Sequence, residues 1–257
     1  MIKPSDLVTL KKFEAGFGWY NKIRGDIKGK YFRDIVDLDR ETAVELSNYI
    51  NGKFHDFKPY PTVEWIISTS PLKDLEIFFM FDNNPEFGKD LFVFFDKRGV
   101  DKIPSEDVYV FTQSYLSLIS RYRKDLCKRL ECSSKMLTME EVEREKKENF
   151  SEYTMGKRED LLKKIKYETA KEISPRIKAK FIESEQEIWG FRFSPLYDLD
   201  ITYKLDSDNN LKILYNEIGV KKYILGILIA FTWLYANEII REAQKIDNSI
   251  PRISRYI

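Results

Sequence analysis

His55 is the only histidine in the chain, and that count alone removes any catalytic triad or metal centre that needs two imidazoles. Proton-transfer chemistry is left mainly to carboxylates. Those with distinctive placement are Glu86, Asp96, Glu106 and Asp107, which with His55 and the loop Gly16-Phe17-Gly18-Trp19-Tyr20 would make an asymmetric acid–base site. A plainer reading competes, because His55 falls in an expected turn and a lone turn histidine is more often a surface residue than a catalyst. Asp74 and Asp82 recur as Asp198 and Asp206 and bracket a strand in each case, a placement that could bind a cation or supply an acid and a base. An aspartate at a strand end commonly accepts its own turn's amides, so turn formation is the expectation for all four. Asp206-Ser207-Asp208-Asn209-Asn210 lacks the glycine and the position-twelve glutamate of a calcium loop. Cys127 and Cys132 match neither a Cys-x-x-Cys pattern nor a disulfide framework, and Gly16-Phe17-Gly18 is no phosphate loop. No metal site is expected, and no cofactor is specified.

These residues are carried on a sequence that repeats. Glu41-Thr42-Ala43-x-Glu45-x-Ser47-x-x-Ile50-x-x-Lys53-Phe54 returns as Glu168-Thr169-Ala170-x-Glu172-x-Ser174-x-x-Ile177-x-x-Lys180-Phe181, with eight identities in fourteen positions. Trp65, Asp74, Leu91, Gly99 and Thr112 then recur in order as Trp189, Asp198, Leu211, Gly219 and Thr232. A unit of this length is a whole domain rather than a solenoid repeat. In the first copy apolar residues at helical spacing predict a helix over 31–46, strands over 49–54, 63–68, 74–81 and 91–95, and a helix over 104–122 opened by Ser105, Glu106 and Asp107. In the second, Ser174-Pro175 stops a helix near Ile173, and strands over 176–182, 188–193, 198–205 and 211–215 lead to a helix over 223–244. The expectation is an α+β tandem duplication, each lobe a helix, a four-stranded and mostly antiparallel meander sheet, and a second helix. Residues 1–30 read as an unrepeated docking segment, 31–122 as the first lobe, 123–160 as a charged, solvated helical connector, and 161–257 as the second lobe.

A Glu-x-Ala helix, a short hairpin, Asp82-x-x-x-Glu86-Phe87, the strand over 91–96 and a helix led by Pro104-Ser105-Glu106-Asp107 together resemble a family of uncharacterised domains of anaerobic bacteria and archaea, met near iron–sulfur, corrinoid and one-carbon proteins. The resemblance covers about 41–118 and, more loosely, 168–234. The second copy lacks Glu-Phe in the turn, has Asn216 in the place of Asp96, and starts its last helix with Lys221-Lys222-Tyr223. The resemblance implies an accessory role in such metabolism and no assigned reaction.

Forty-three basic and forty-two acidic side chains give a net charge of +1, so no global field draws nucleic acid or an anionic membrane. The basic, aromatic stretches 115–129 and 251–257 read as solvated faces, and no nucleic-acid partner is expected. The apolar run 223–236 is fourteen residues, short of the roughly twenty that span a bilayer. It reads as a helix buried on nearly all sides, covered by residues 1–30 or by another subunit. With no leader pattern at the N-terminus, a cytoplasmic location is expected. Two functions follow. The first is a non-catalytic binding or assembly protein that docks a protein partner or holds a small ligand in a cleft between lobes. The second is an enzyme with a carboxylate site in the first lobe.

Overall fold

The computed structural model describes residues 4–126, 133–183 and 188–252; Cys127, Cys132, residues 184–187, which include most of the acidic turn expected over 183–186, and the tail from 253 lie outside the described residues. The chain divides into two compact units, Met1–Cys127 and Lys128–Ile257, each mixing helices with one antiparallel sheet.

In the first unit, strands β1 (Leu7–Val8), β2 (Lys53–His55), β3 (Val63–Leu72), β4 (Leu75–Asn84) and β5 (Gly88–Asp96) form a sheet of order β1-β5-β4-β3-β2. The expected four strands become five because Leu7 and Val8 pair with Asp96 and Phe95 along the free edge of β5. Side chains alternate between faces. Leu75, Ile77, Phe79 and Phe81 of β4 are buried beneath the helices with Trp65, Val93 and Phe95, while Glu76, Phe78 and Met80 take the outer face. Helices α1 (Gly16–Asp26), α2 (Phe32–Ile35), α3 (Arg40–Tyr49) and α4 (Ser105–Leu126) complete the unit. The helix expected over 31–46 is broken: a π-helical turn, Ile27–Tyr31, leads into α2, and Asp39 restarts the chain by accepting the Thr42 amide at 2.8 Å as N-cap of α3. The Gly16–Tyr20 loop is in fact the first turns of α1.

In the second unit, β6 (Met136–Thr138), β7 (Lys180–Glu183), β8 (Trp189–Leu196), β9 (Leu199–Leu205) and β10 (Leu211–Asn216) form a sheet of order β6-β10-β9-β8-β7, again with a fifth strand. Its helices are α5 (Met139–Lys146), α6 (Ser151–Thr154), α7 (Lys157–Leu162), α8 (Tyr167–Ile173), α9 (Glu217–Lys222) and α10 (Leu225–Gln244). The stretch expected as a solvated connector is therefore structural. Thr138 and Glu141 close a capping box on α5, and Met139, Val142, Phe150, Met155, Leu161 and Leu162 are buried.

The shared order reaches further than the sequence suggests. Val8 pairs with Phe95 where Leu137 pairs with Tyr215, and Leu10 and Phe13 are buried as Met139 and Val142 are, so residues 7–13 occupy the place of 136–142. This overturns the expectation that the first thirty residues have no counterpart. Buried Trp65 donates its indole N–H to the Leu38 carbonyl at 2.8 Å, and Trp189 donates to the Ile165 carbonyl at 2.7 Å. Thr112 and Thr232 each return a hydroxyl bond to the carbonyl four residues back at 2.7 Å. In the second unit Tyr203 and Tyr215 replace Phe79 and Phe95, and both hydroxyls find partners on Thr232, so the extra polar atoms are satisfied inside the core.

The burial expected over 223–236 holds only in part: Ile224 and Gly226 at the start of α10 are exposed and Leu225, Ile229 and Ala230 half-buried, whereas Phe231 to Ile240 is buried almost all round with Trp233 half-buried. Helices α6, α7 and α8 of its own unit pack against α10. Arg158 of α7 lies 5.2 Å over the Trp233 ring and donates to the Asn237 side chain at 2.8 Å. The connector's charges thus supply the lid on an apolar helix.

Asp74 and Asp198 form ion pairs with lysines outside their own hairpins rather than accepting turn amides. Asp74 pairs with Lys102 at 2.9 Å and Asp198 pairs with Lys222. The turn carbonyls meet a glycine instead: a Cβ on Gly99 would lie 2.7 Å from the Asp74 oxygen, and one on Gly219 would lie 2.7 Å from both the Asp198 oxygen and Leu199 Cδ1. Gly219→Ala is expected to cost about 1–3 kcal/mol through forced displacement. Gly226→Ala, in a helix with nothing within 4 Å, is expected to stabilise by up to about 1 kcal/mol. Urea midpoints of the two variants against wild type check the opposite signs.

Candidate functional site

The outer face of the first sheet carries a groove of about 570 Å³ that gathers His55, Glu76, Asp96 and Arg98 over Phe57. Strand register explains the grouping. Lys53 and His55 of β2 stand opposite Ser68 and Ile66 of β3, Ser68 stands opposite Phe78 of β4, and Phe78 opposite Phe94 of β5, so all project to one side. His55 is thus a strand residue, not the turn residue expected.

At the centre Ser68 bridges two groups. His55 Nε2 lies 2.8 Å from Ser68 Oγ, and that hydroxyl donates to Glu76 Oε1 at 2.8 Å. Since the serine proton goes to the carboxylate, the hydroxyl oxygen accepts from His55, which selects the Nε2–H tautomer of the neutral ring. Burial lowers the His55 pKa, opposed by the nearby Glu76 charge, and the ring sits among Phe57 and Phe78 with centroids at 5.7 and 5.4 Å. At the groove's other side burial pushes Asp96 upward, but Arg98 outweighs it: the guanidinium donates at 2.8 and 2.5 Å and the Arg98 amide at 2.8 Å, holding the carboxyl below its usual range. Lys97 pairs with Asp6 at 2.6 Å. The rim's three acids, Asp6, Glu76 and Asp96, balance its three cations, Lys53, Lys97 and Arg98.

Of the residues singled out from sequence, His55 and Asp96 meet here and the others do not. Glu86 lies in the β4–β5 turn beside Phe87, which is 86 % exposed. Asp96 is the last of the nine residues of β5, about 26 Å from its first at the rise of a strand. Glu106 and Asp107 open α4, on the opposite face of the sheet, with Asp107 buried. Asp206 accepts the amides of Asp208 and Asn210 at 3.0 and 2.9 Å and serves its turn as expected. Asp82 does not: it is buried opposite Asp90, with Oδ1 lacking a hydrogen-bond partner. Ser68 and Glu76 escaped the sequence reading because their meeting with His55 depends on cross-strand register. The signal available was an acid and a serine on the parity of β3 and β4 opposite to that of Trp65, Ile77 and Phe79.

The second unit has none of this chain. Ile182, Arg192, Asp200 and Asn216 stand where His55, Ser68, Glu76 and Asp96 stand in the first. Among the described residues no group of three His, Cys, Asp or Glu is placed to hold a metal ion, and no helix is long and apolar enough to cross a membrane.

Because folding depresses the His55 pKa, the unfolded chain binds the proton more readily, and stability falls as pH drops below the unfolded value of about 6.5. The stability gap between wild type and His55→Gln is therefore expected to shift against wild type on acidification. Urea unfolding of both proteins at pH 7.5 and 5.5 measures it, and an unchanged gap would count against the burial of a neutral ring.

No family model, curated protein or solved structure matches the chain, so its functional reading rests on the chemistry of this outer face.

Proposed function

We propose that the chain is a tandem duplication of one α+β unit and works as a non-catalytic binding protein, whose first unit offers its outer sheet face to a protein partner. The duplication draws support from the repeated sequence, the common strand order and the common tryptophan bond. The accessory setting among iron–sulfur, corrinoid and one-carbon proteins that the resemblance implies belongs to the same proposal.

The observation that carries the binding role is a contrast between matched positions. Cross-strand pairs Met80↔Phe92 and Phe78↔Phe94 cover the outer face of the first sheet, and the corresponding pairs in the second are Lys204↔Lys212 and Thr202↔Leu214. Two lysines directly opposed are tolerated where water screens them. Half-buried Phe92 and Phe94, joined by Leu7 and Phe57 on an apolar cluster, suit contact with another surface. Chemistry is disfavoured by the direction of the Ser68 proton: a serine nucleophile must hand its proton to a base held by a third group, whereas here the hydroxyl lies between His55 and Glu76 and the histidine donates.

The second reading, an enzyme, keeps His55 and Asp96 and adds Ser68 and Glu76; the three-member hydrogen-bond chain is the observation in its favour. A peptide library selected on the purified full chain, followed by affinity measurement with Phe92→Lys/Phe94→Leu, separates the readings. Selected peptides are expected to lose about tenfold or more in affinity with the melting temperature retained. Undiminished affinity would sink the proposal, and covalent labelling of Ser68 by a fluorophosphonate, abolished in His55→Gln, would install the enzyme in its place.

A further inference from the structure

The free edges of the two sheets are treated differently at one matched position. In β5 the outward carbonyl of Leu91 accepts a hydrogen bond from Arg24 Nη1 at 2.8 Å, while Arg24 Nη2 pairs with Asp90 at 2.6 Å and the guanidinium lies 5.1 Å over the Phe92 ring. Helix α1 thereby caps the edge with an arginine, and the space left beside it is about 40 Å³. In β10 the matched residue is Leu211. Its backbone faces outward as well, since the Glu217 amide on the same parity donates to Lys135 on the β6 side at 3.0 Å. Strand β6 pairs only with Leu214, Tyr215 and Asn216 before the chain turns into α5, so Leu211 keeps β9 as its one strand neighbour among the described residues.

Beside that open edge lies a groove of about 530 Å³, floored by Met139, Met155 and Ile213 and rimmed by Glu140, Glu152 and Glu159. Glu159 is engaged by Lys163 at 2.5 Å, while Glu140 and Glu152 are exposed and in no ion pair with a described residue. Lys212, which stands in the place of Phe92, is drawn to Asp206 at 3.1 Å.

The geometry points to this groove as a docking site for an arginine-bearing, extended segment of a protein partner, its guanidinium seated on the Leu211 carbonyl. The first unit supplies the argument for the occupant: the same carbonyl position holds a guanidinium there, donated by the chain itself. The second unit offers the matched Leu211 carbonyl on a strand edge that β6 does not reach, thioether walls for the arginine stem, and the rim carboxylates Glu140 and Glu152, while Asn210 and Lys212 hold the positions of Asp90 and Phe92. An unpaired strand edge adds backbone donors and acceptors that an extended segment satisfies by pairing. A lysine fits less well, because its single point charge cannot serve the carbonyl and a carboxylate in one plane as a guanidinium does.

Calorimetric titration of the full chain with the acetylated, amidated pentapeptide Leu-Arg-Val-Arg-Leu tests this, with the citrulline-for-arginine peptide as the isosteric, uncharged control. Binding of the arginine peptide is expected, weakened about tenfold or more by citrulline and by Glu140→Gln/Glu152→Gln, with the melting temperature of that variant within a few degrees of wild type. Lys212→Phe, which restores the ring on which Arg24 stacks in the first unit, is expected to tighten it. Absence of binding at millimolar peptide, equal binding of the citrulline peptide, or undiminished binding by the glutamine variant would each overturn the proposal. None of these outcomes bears on the outer face of the first sheet, which the peptide selection tests separately.

Discussion

A buried indole N–H that meets a backbone carbonyl one residue before a helix N-cap is the bond on which each unit depends. Trp65 holds Leu38, just ahead of Asp39 and α3; Trp189 holds Ile165, just ahead of Lys166 and α8. The ring lies at the centre of the sheet's inner face, so this donor must be paired within the protein or cost about 1–3 kcal/mol. Pairing it decides where the helix lands on the sheet. In the first unit the far end of α3 is tied as well, through the Thr69 hydroxyl on the Ile50 carbonyl at 3.2 Å. With both ends anchored, the inner face is committed to packing and tolerates little beyond exchanges such as Phe79 and Phe95 for Tyr203 and Tyr215.

The outer face carries no such obligation, and there the two units part. One turned its cross-strand pairs toward phenylalanine and methionine and placed a histidine, a serine and a glutamate in one hydrogen-bond chain; the other accepted opposed lysines and a threonine. Function is best sought where a frame common to both units leaves positions free. The sheet edges obey the same logic, with one sealed by Arg24 and the other left open beside glutamates.

Charge is handled locally throughout. The near-equal totals of acids and bases are reflected in short-range pairs such as Arg98 with Asp96, Lys97 with Asp6 and Lys222 with Asp198, so even the groove of the first unit is close to neutral. Its recognition chemistry must come from shape, aromatic contact and a few directed hydrogen bonds. Long-range attraction contributes little.

The amino-acid sequence by itself determined the periodic elements, the recurrence of one α+β pattern, the end of α8 before Pro175 and the burial of the last helix from Phe231 onward though not of its first turns, because helical spacing, strand alternation and proline's missing donor act over a few neighbouring residues. It also narrowed the candidate site to His55 and Asp96 among others. Only the tertiary structure decided that residues 7–8 and 136–138 are edge strands, since two or three residues carry no periodicity of their own and pair only when an edge is offered. Likewise, only the tertiary structure lays Arg158 of the charged stretch after residue 138 over Trp233, because a long cationic side chain hides its apolar stem in any composition count. The meeting of His55, Ser68 and Glu76 follows from antiparallel register across three strands, and register is set by the packing of a whole sheet face rather than by any local run of residues; the length of β5 parts Glu86 from Asp96, and the packing of α4 on the other face parts Asp107 from it.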